Sequence, residues 1–296
     1  MGFINCERNK KDKVKLKGIH EYNPKQIYQI IKDENIAEIV IATYNSENIT
    51  SEIYQDLITL LEGGFPIKEY TQVYEELTQR VPVQFVGKDF YKYFPFSRSN
   101  QNKMYLLFNH FIDLLISVLG ILTGCLLLPF IVLGNLIANR GPLFYIQERI
   151  GSNGTLFKII KFRTMVKNAE KNGAVWAKKG DARITPFGKF LRNSRLDEMP
   201  QFLNILKGEM SLIGPRPERP YFVRELSQTL PFYETRHIIK PGLTGWAQVN
   251  TRYGSSSSDS LIKLQYDLYY IKHRSFFLDI NILIRTLSTI IFYRGQ

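Results

Sequence analysis

The sequence predicts an α/β protein with three parts: a small α/β unit, a re-entrant helical hairpin in a membrane, and a basic part that carries the chemistry. Three observations lead to this fold class. Strand-like and helix-like segments alternate before residue 80, residues 114–138 carry no charge, and the net charge of +12 lies wholly after residue 103. With 44% apolar and 22% charged residues among 296, the composition is typical of a folded chain.

The first part has the pattern of a small α/β unit. Buried-strand patterns lie at 36–44 and 65–70, and helical patterns lie at 25–33, 52–61 and 73–79. Such alternation predicts a partly parallel sheet. Residues 1–103 hold 14 basic and 14 acidic residues, and we find neither G-x-G-x-x-G nor a P-loop there. A docking or regulatory module therefore fits this part better than a phosphate-binding one.

The uncharged run at 114–138 exceeds the roughly 20 residues that a helix needs to cross a bilayer. A single crossing is the simpler interpretation, but Pro129 near the middle predicts a kink. Basic residues flank both ends, which makes both sides cytoplasmic by the positive-inside rule. We therefore predict a hairpin that breaks at Pro129 and returns to its own side. The flanking cations are Lys88, Lys92, Arg98 and Lys103 before the run, and Arg140, Arg149, Lys158, Lys161 and Arg163 after it.

The part after residue 103 should meet an anionic partner. It holds 25 basic against 13 acidic residues, which accounts for the whole net charge. A membrane lipid, a nucleic acid and a phosphorylated substrate all fit such an excess.

Two cations end a predicted strand at 156–165. Phe157 and Ile159 are followed on the same face by Lys161 and Arg163, so the strand leaves the core and presents two positive side chains together. Such a pair suits a phosphate. A basic edge that protects the strand from pairing is an equally good interpretation of this segment alone.

Asp197 and Glu198 are adjacent in a helical pattern that we expect to begin at Ser194. With Ser194 as N-cap, Asp197 would fall at the third helical position, where a carboxylate simply complements the helix dipole. Arg192 and Arg195 lie just upstream, however, and cations keep a carboxylate ionised. Asp197 is therefore also a candidate nucleophile or Mg²⁺ ligand.

A rigid turn at Gly214-Pro215-Arg216-Pro217 holds Arg216 between two residues of fixed φ. This rigidity lowers the entropic cost of directing a guanidinium at a phosphate. The alternative is an ordinary proline-rich surface turn.

Taken in order, these segments resemble the bacterial sugar transferases, the monotopic polyprenyl-phosphate phosphoglycosyl transferases. The resemblance covers roughly residue 105 to the end and rests on many ordered motifs. They are GPLFYIQERIG (141–151), FKIIKFRTM (157–165), DARITPFGKFLR (181–192), LDEMPQFLNILKGEMSLIGPRPE (196–218) and KPGLTGWAQVN (240–250).

The resemblance implies a reaction and its residues. A sugar 1-phosphate passes from a UDP-sugar to polyprenyl (undecaprenyl) phosphate through a covalent aspartyl phosphosugar, which initiates assembly of a surface polysaccharide or glycoconjugate. Asp197 is then the nucleophile and the Mg²⁺ ligand, with Glu198 as its catalytic partner. Expected phosphate contacts are Lys161, Arg163, Arg192 and Arg216, with Arg183, Arg219 and Arg252 as further candidates.

The resemblance also implies an organisation. Residues 1–100 would be a partial Rossmann-like accessory domain. Residues 101–296 would be a mixed, mainly helical catalytic domain with a re-entrant membrane helix at about 104–138. We expect attachment to the cytoplasmic face of the bacterial inner membrane through anionic lipid, without nucleic acid. Larger members carry transmembrane helices ahead of this point, so the chain is expected to lack them. The oligomeric state is open, with a homodimer as one expectation.

Two other functions remain open at this level. The same dyad in a membrane-bound hydrolase would use water as acceptor of the sugar phosphate. A non-enzymatic module would hold anionic lipid or nucleic acid by charge alone, although it leaves the ordered motifs without an explanation.

Overall fold

The computed structural model describes residues 1–4, 18–42, 49–85, 102–171, 173, 175–176, 180–251 and 256–291. The chain is mixed and mostly helical, with four small two-stranded sheets in the described part. It divides into two compact units, an N-terminal unit (Met1–Gln79) and a C-terminal unit (Arg80–Gln296). Because residues 86–101 lie outside the described part, the predicted domain boundary at residue 100 stays a prediction.

The N-terminal unit alternates strands and helices, as its sequence pattern predicts. Two segments at its start, β1 (Gly2–Ile4) and β2 (His20–Tyr22), pair in parallel. Then come α1 (Ile27–Asp33), β3 (Ile39–Ile41), α2 (Ser51–Glu62), β4 (Ile67–Glu69) and α3 (Tyr70–Thr78). β3 and β4 are parallel, so β3, α2 and β4 form one strand–helix–strand unit.

A long apolar helix, α4 (Lys103–Gly134), follows in the C-terminal unit and continues as a π-helical turn at Asn135–Asn139. Within the described residues it is the one helix long and apolar enough to cross a membrane, with 37 residues from Lys103 to Asn139. At 1.5 Å per residue it would extend about 55 Å, well beyond the roughly 30 Å of a bilayer's hydrocarbon core.

The predicted break at Pro129 is wrong at the level of secondary structure, because α4 contains Pro129 without interruption. A proline removes one backbone hydrogen bond, and packing on either side can hold the rest of the helix. Here Ile131 is fully buried in a small apolar cluster, and Leu127 and Leu128 pack against the same cluster.

Polar contacts fasten the first turns of α4 to the C-terminal unit. The Tyr105 hydroxyl and the Asn109 amide both donate to the Asp279 carboxylate, at 2.5 and 3.2 Å. Two turns further on, the Asp113 carboxylate accepts the backbone N–H of Leu212 at 2.8 Å.

Further along α4, some residues still contact the same unit. A Cβ on Gly120 would lie 2.4 Å from the Phe202 ring, so this glycine permits close contact. At the far end, Asn139 Nδ2 donates to the Arg163 carbonyl at 2.7 Å. Both ends of the apolar helix are therefore attached to one folded unit.

An antiparallel hairpin comes next, formed by β5 (Phe144–Ile150) and β6 (Leu156–Phe162). Phe157 and Ile159 face the core, as predicted, and the strand ends at Phe162. Two short helices follow, α5 (Pro186–Asn193) and α6 (Gln201–Leu206).

The last elements complete the main core. They are β7 (Ser211–Ile213), α7 (Pro220–Thr229), β8 (Gly242–Thr244), α8 (Trp246–Asn250), α9 (Ser257–His273) and α10 (Phe276–Ile291). β7 and β8 pair in parallel. The core buries side chains from the hairpin, β7 and the helices; they include Phe157, Ile159, Leu212, Phe222, Trp246, Leu268 and Ile282.

Candidate active site

A cavity of about 300 Å³ in the C-terminal unit collects most of the predicted site residues. Basic side chains dominate its lining, with nine Lys or Arg against four Asp or Glu. The cations are Arg149, Lys161, Arg163, Lys167, Arg183, Arg192, Arg195, Arg216 and Arg219, and the acids are Glu170, Asp197, Glu198 and Glu218. A cavity with this balance favours a ligand with several negative charges.

The dyad lies on a short 3-10 turn, Leu196–Glu198, between α5 and α6. The predicted role of Ser194 as an N-cap is wrong: Ser194 is the C-cap of α5, and its hydroxyl donates to the Phe190 carbonyl at 2.9 Å. Arg195 then takes a left-handed conformation with φ 59°, which reverses the chain into the turn. Asp197 is consequently held by a tight bend and not by the first turn of a regular helix.

Glu198 is the centre of a buried ion cluster. Lys161 Nζ and Arg216 Nη2 each lie 2.8 Å from Glu198 Oε1, and Arg195 Nη1 lies 3.8 Å from Oε2. Burial alone would raise the pKa of the Glu198 carboxyl, but Arg216, Lys161 and Arg195 outweigh it and hold that pKa well below its usual value. Glu198 therefore stays ionised and acts as the counter-ion of the basic cavity.

Asp197 has the opposite electrostatic environment. The residue is 8% exposed, and its Oδ1 has no hydrogen-bond partner among the described residues. Burial, then the charge of Glu198, raises the pKa of Asp197 to about 6, against the pull of Lys161, Arg192 and Arg195. At neutral pH this gives an ionised carboxylate with an unsatisfied oxygen, which is suited to attack an electrophile or to bind a cation.

The turn that carries Arg216 is held from behind by the backbone. Gly214 N–H donates to the Thr244 carbonyl and Gly242 N–H donates to the Pro215 carbonyl, both at 2.9 Å. A Cβ on Gly242 would lie 2.1 Å from Gly214 N, so only glycine permits this approach. Arg236 adds a bond from Nη2 to the Arg216 carbonyl at 3.1 Å. The rigidity predicted for the Gly214–Pro217 turn is matched by these contacts.

Arg163 and Arg192 line the cavity without touching the dyad. The buried guanidinium of Arg163 donates to the carbonyls of Pro142, Met165 and Asn139, so it fastens the end of the apolar helix. Arg192 Nε donates to Thr164 Oγ1 at 2.9 Å, and its charge acts on Asp197.

Arg183 and Arg219 also line the cavity, each paired with a carboxylate. Arg183 bonds to Asp181 at 2.5 Å, and Arg219 makes two bonds of 2.9 Å to Glu170. Arg252, the remaining predicted contact, lies outside the described residues.

Sequence reasoning missed three cations of the cavity as site residues, namely Arg149, Lys167 and Arg195. Arg195 reaches Glu198 only because its own backbone is left-handed, which no local pattern announces. Arg149 lies 49 residues before Glu198 in sequence, on β5. Its signal was the alternation of Tyr145, Gln147 and Arg149, which places all three on one face of that strand.

The two carboxylates should have opposite effects on stability. Because the pKa of Asp197 is raised in the folded state, ionising this residue lowers the free energy of unfolding. The loss develops as the pH rises from the pKa in the unfolded chain, about 3.9, to the folded value of about 6. At pH 8, D197N should therefore raise the melting temperature, by about 2 °C or more, and by less at pH 5. The measurement is thermal unfolding with EDTA present.

E198Q is the matched variant. It leaves Lys161 and Arg216 buried without their counter-ion, so it should destabilise the fold by about 3 kcal/mol. Equal shifts of the same sign for the two variants would contradict the assigned asymmetry.

The sequence of this chain matches a known family and several known proteins. A sequence model of the family described as bacterial sugar transferase matches residues 104–293. The chain is 37% identical over 255 residues to the UDP-N-acetylgalactosamine-undecaprenyl-phosphate N-acetylgalactosaminephosphotransferase of Aeromonas hydrophila, covering 86% of this chain and 59% of that protein.

Two further relatives match this chain over different lengths. The chain is 40% identical over 177 residues to the UDP-glucose:undecaprenyl-phosphate glucose-1-phosphate transferase of Xanthomonas campestris pv. campestris, covering 59% of this chain and 37% of that protein. It is 32% identical over 287 residues to the galactosyl transferase CpsE of Streptococcus agalactiae, covering 90% and 62%. The chain thus spans less than two thirds of each of these three relatives. The match across residues 104–293, a range that includes the dyad, shows that the chain belongs to the bacterial sugar transferase family.

Proposed function

We propose that this chain transfers a sugar 1-phosphate from a UDP-sugar to undecaprenyl phosphate and releases UMP, the initiating step of surface polysaccharide or glycoconjugate assembly. The observation that carries the proposal is the buried Asp197 Oδ1 without a partner, beside a Glu198 that is fully engaged by cations. The names of the Aeromonas and Xanthomonas relatives supply the two substrate classes.

The transfer takes place in two displacements. A carboxylate oxygen of Asp197 attacks the β-phosphorus of the donor, the bond from that phosphorus to the bridging oxygen breaks, and UMP leaves with the electron pair. A phosphate oxygen of the lipid then attacks the same phosphorus and releases Asp197. Each displacement needs little acid–base chemistry and much neutralisation of charge.

The cations around the dyad supply that neutralisation. Glu198 holds Lys161 and Arg216 at 2.8 Å beside Asp197, so their positions are set before a substrate arrives. Preorganised charge of this kind costs no reorganisation during the reaction. Arg192, whose Nε contacts only Thr164 Oγ1 in the described hydrogen bonds, remains a proposed phosphate contact.

Mg²⁺ is the proposed cofactor. Among the described residues no cluster of three or more His, Cys, Asp or Glu could hold a metal ion alone. Mg²⁺ commonly binds through one or two carboxylates together with substrate phosphates, and Asp197 Oδ1 offers one such oxygen. When bound there, the ion would neutralise charge on the diphosphate.

The apolar helix is proposed to insert into the bilayer without crossing it, so that both of its ends lie on one side, the cytoplasmic face of the bacterial inner membrane. Support comes from its two ends, since Tyr105 bonds to Asp279 and Asn139 bonds to Arg163 of the same folded unit. A helix that crossed fully would carry one end away from that unit. Lys103 and Arg140 flank the helix and suit anionic lipid; Lys88, Lys92 and Arg98 lie outside the described residues.

The N-terminal unit is proposed to be part of a Rossmann-like accessory domain. Its parallel β3–β4 pair joined through α2 supports this. In this proposal the N-terminal unit plays no part in the chemistry. For the chain as a whole, a homodimer is the proposed assembly.

The reaction predicts a burst. With a UDP-sugar and no lipid acceptor, the protein should release about one UMP per chain and then stop, and adding undecaprenyl phosphate should restore turnover. D197N should abolish both the burst and the turnover, because an amide is a poor nucleophile. The measurement is UMP release over time.

Asp259 provides a control, since this carboxylate caps α9 outside the cavity. D259N should keep the full burst. Steady UMP release without lipid would instead identify a hydrolase, and an undiminished burst from D197N would remove Asp197 from its assigned role.

The membrane topology has its own test. Protease-cleavable tags at residues 1 and 296 should both be cut when the protease reaches the cytoplasmic face of oriented membrane vesicles. Neither tag should be cut when that face is sealed inside the vesicles. Cleavage of the two tags from opposite sides would show a single crossing.

A further inference from the structure

The inner face of β5 forms one wall of the cavity. Tyr145, Gln147 and Arg149 alternate with outward-facing residues, and all three line the cavity. Tyr145 pairs with Lys161 in the antiparallel register, while Arg149 pairs with Phe157. Because Lys161 contacts Glu198, the Tyr145 end of this row is the end nearest the dyad.

Arg149 marks the other end of that row. It lies four residues beyond Tyr145, about 13 Å along an extended strand. Its hydrogen bonds among the described residues go to Gln147, Pro217 and Glu218, and none reaches the dyad. The charge of Arg216, which contacts Glu198, also acts on it. The cavity therefore has a dyad end at Lys161 and a distant basic end at Arg149, with Arg216 between them.

The charge of Arg149 is less fully compensated than that of its neighbours. Arg219 makes two 2.9 Å bonds to Glu170, and Arg183 pairs with Asp181 at 2.5 Å. Arg149 has one long contact of 3.4 Å to Glu218.

Its other contacts are neutral. Arg149 Nη2 donates to Gln147 Oε1 at 2.8 Å and Nη1 donates to the Pro217 carbonyl at 3.3 Å. Arg149 Nε is buried and has no acceptor among the described residues. A buried guanidinium with a spare donor and neutral partners is a good site for an additional oxyanion.

The geometry of the proposed transfer says which oxyanion this is. In a displacement at phosphorus, the attacking and leaving oxygens lie roughly in line on opposite sides. With Asp197 attacking from the dyad end, the departing nucleotide extends away from the dyad, and the row that ends at Arg149 is a wall of the cavity that leads in that direction.

We propose that Arg149 binds the phosphate that leaves with the nucleoside, so that it holds the UMP half of the donor during the first displacement. This inference rests on the proposed transfer reaction. It assigns to Arg149 a role in the first half of that reaction and none in the second, because the nucleotide has left when the lipid phosphate attacks.

UMP itself is the probe. The full chain in detergent or nanodiscs should bind UMP by calorimetry, and R149Q should weaken that binding at least about tenfold, which corresponds to about 1.4 kcal/mol. The control is R224Q, which removes an exposed arginine of α7 outside the cavity and should leave UMP binding unchanged.

A second variant separates binding from support of the Gly214–Pro217 turn. E218Q removes the negative charge that contacts Arg149 but keeps the guanidinium, so UMP should bind as well as before or more tightly. If Arg149 merely supported the turn through Glu218, E218Q would weaken UMP binding as R149Q does, and the proposal would be overturned.

The two half-reactions give a further readout. R149Q should slow formation of the protein-bound phosphosugar from a UDP-sugar, while discharge of a preformed adduct by undecaprenyl phosphate keeps its normal rate. Equal slowing of both steps, or unchanged UMP affinity in R149Q while the unsubstituted chain still releases UMP, would overturn the role of Arg149 alone. Absence of both UMP binding and UMP release from the unsubstituted chain would overturn the transfer reaction too.

Discussion

The buried carboxylate of Glu198 and the cations around it are the interaction on which the site depends. Removing a carboxylate and its partner cations from water is costly unless they stay paired. Glu198 meets this requirement with Lys161 from β6 and Arg216 from the Gly214–Pro217 turn, each at 2.8 Å. Because these residues come from three separate segments, the ion cluster also fixes how those segments meet.

The cluster explains the difference between the two carboxylates. Adjacent carboxylates compete for the same positive charge, and Glu198 takes the direct contacts with Lys161 and Arg216. Asp197 is left with longer-range attraction, a buried oxygen without a partner and a raised pKa. Such a group destabilises the folded state and is reactive. Active sites commonly combine these two properties.

Further contacts connect the cluster to the rest of the C-terminal unit. Arg236 bonds to the Arg216 carbonyl at 3.1 Å and to Asp267 of α9 at 2.6 Å, so a helix supports the turn from behind. The apolar helix contacts β7, the strand that precedes this turn, because the Asp113 carboxylate accepts the N–H of Leu212. These bonds place the proposed chemistry at a fixed distance from the proposed membrane segment.

The sequence predicted what short-range patterns determine. The alternation of the N-terminal unit, the β6 strand with its buried Phe157 and Ile159, and the apolar helix follow from periodicity and composition. The Ser194 cap was mispredicted because serine suits both ends of a helix, and only the left-handed Arg195 decides between them. The uninterrupted helix at Pro129 depends on packing that sequence periodicity does not contain.

The direction of the chain after β6 determines where the side chains of Lys161 and Arg163 lie. Arg163 follows Phe162 after β6 ends, so its guanidinium turns to the carbonyls at the end of the apolar helix while Lys161 reaches Glu198.

The central claim is that Asp197 carries the sugar phosphate. Intact-mass and peptide mass spectrometry after incubation with a UDP-sugar alone tests this claim most directly. The account predicts one added sugar phosphate, located on Asp197; an adduct on another residue would contradict it.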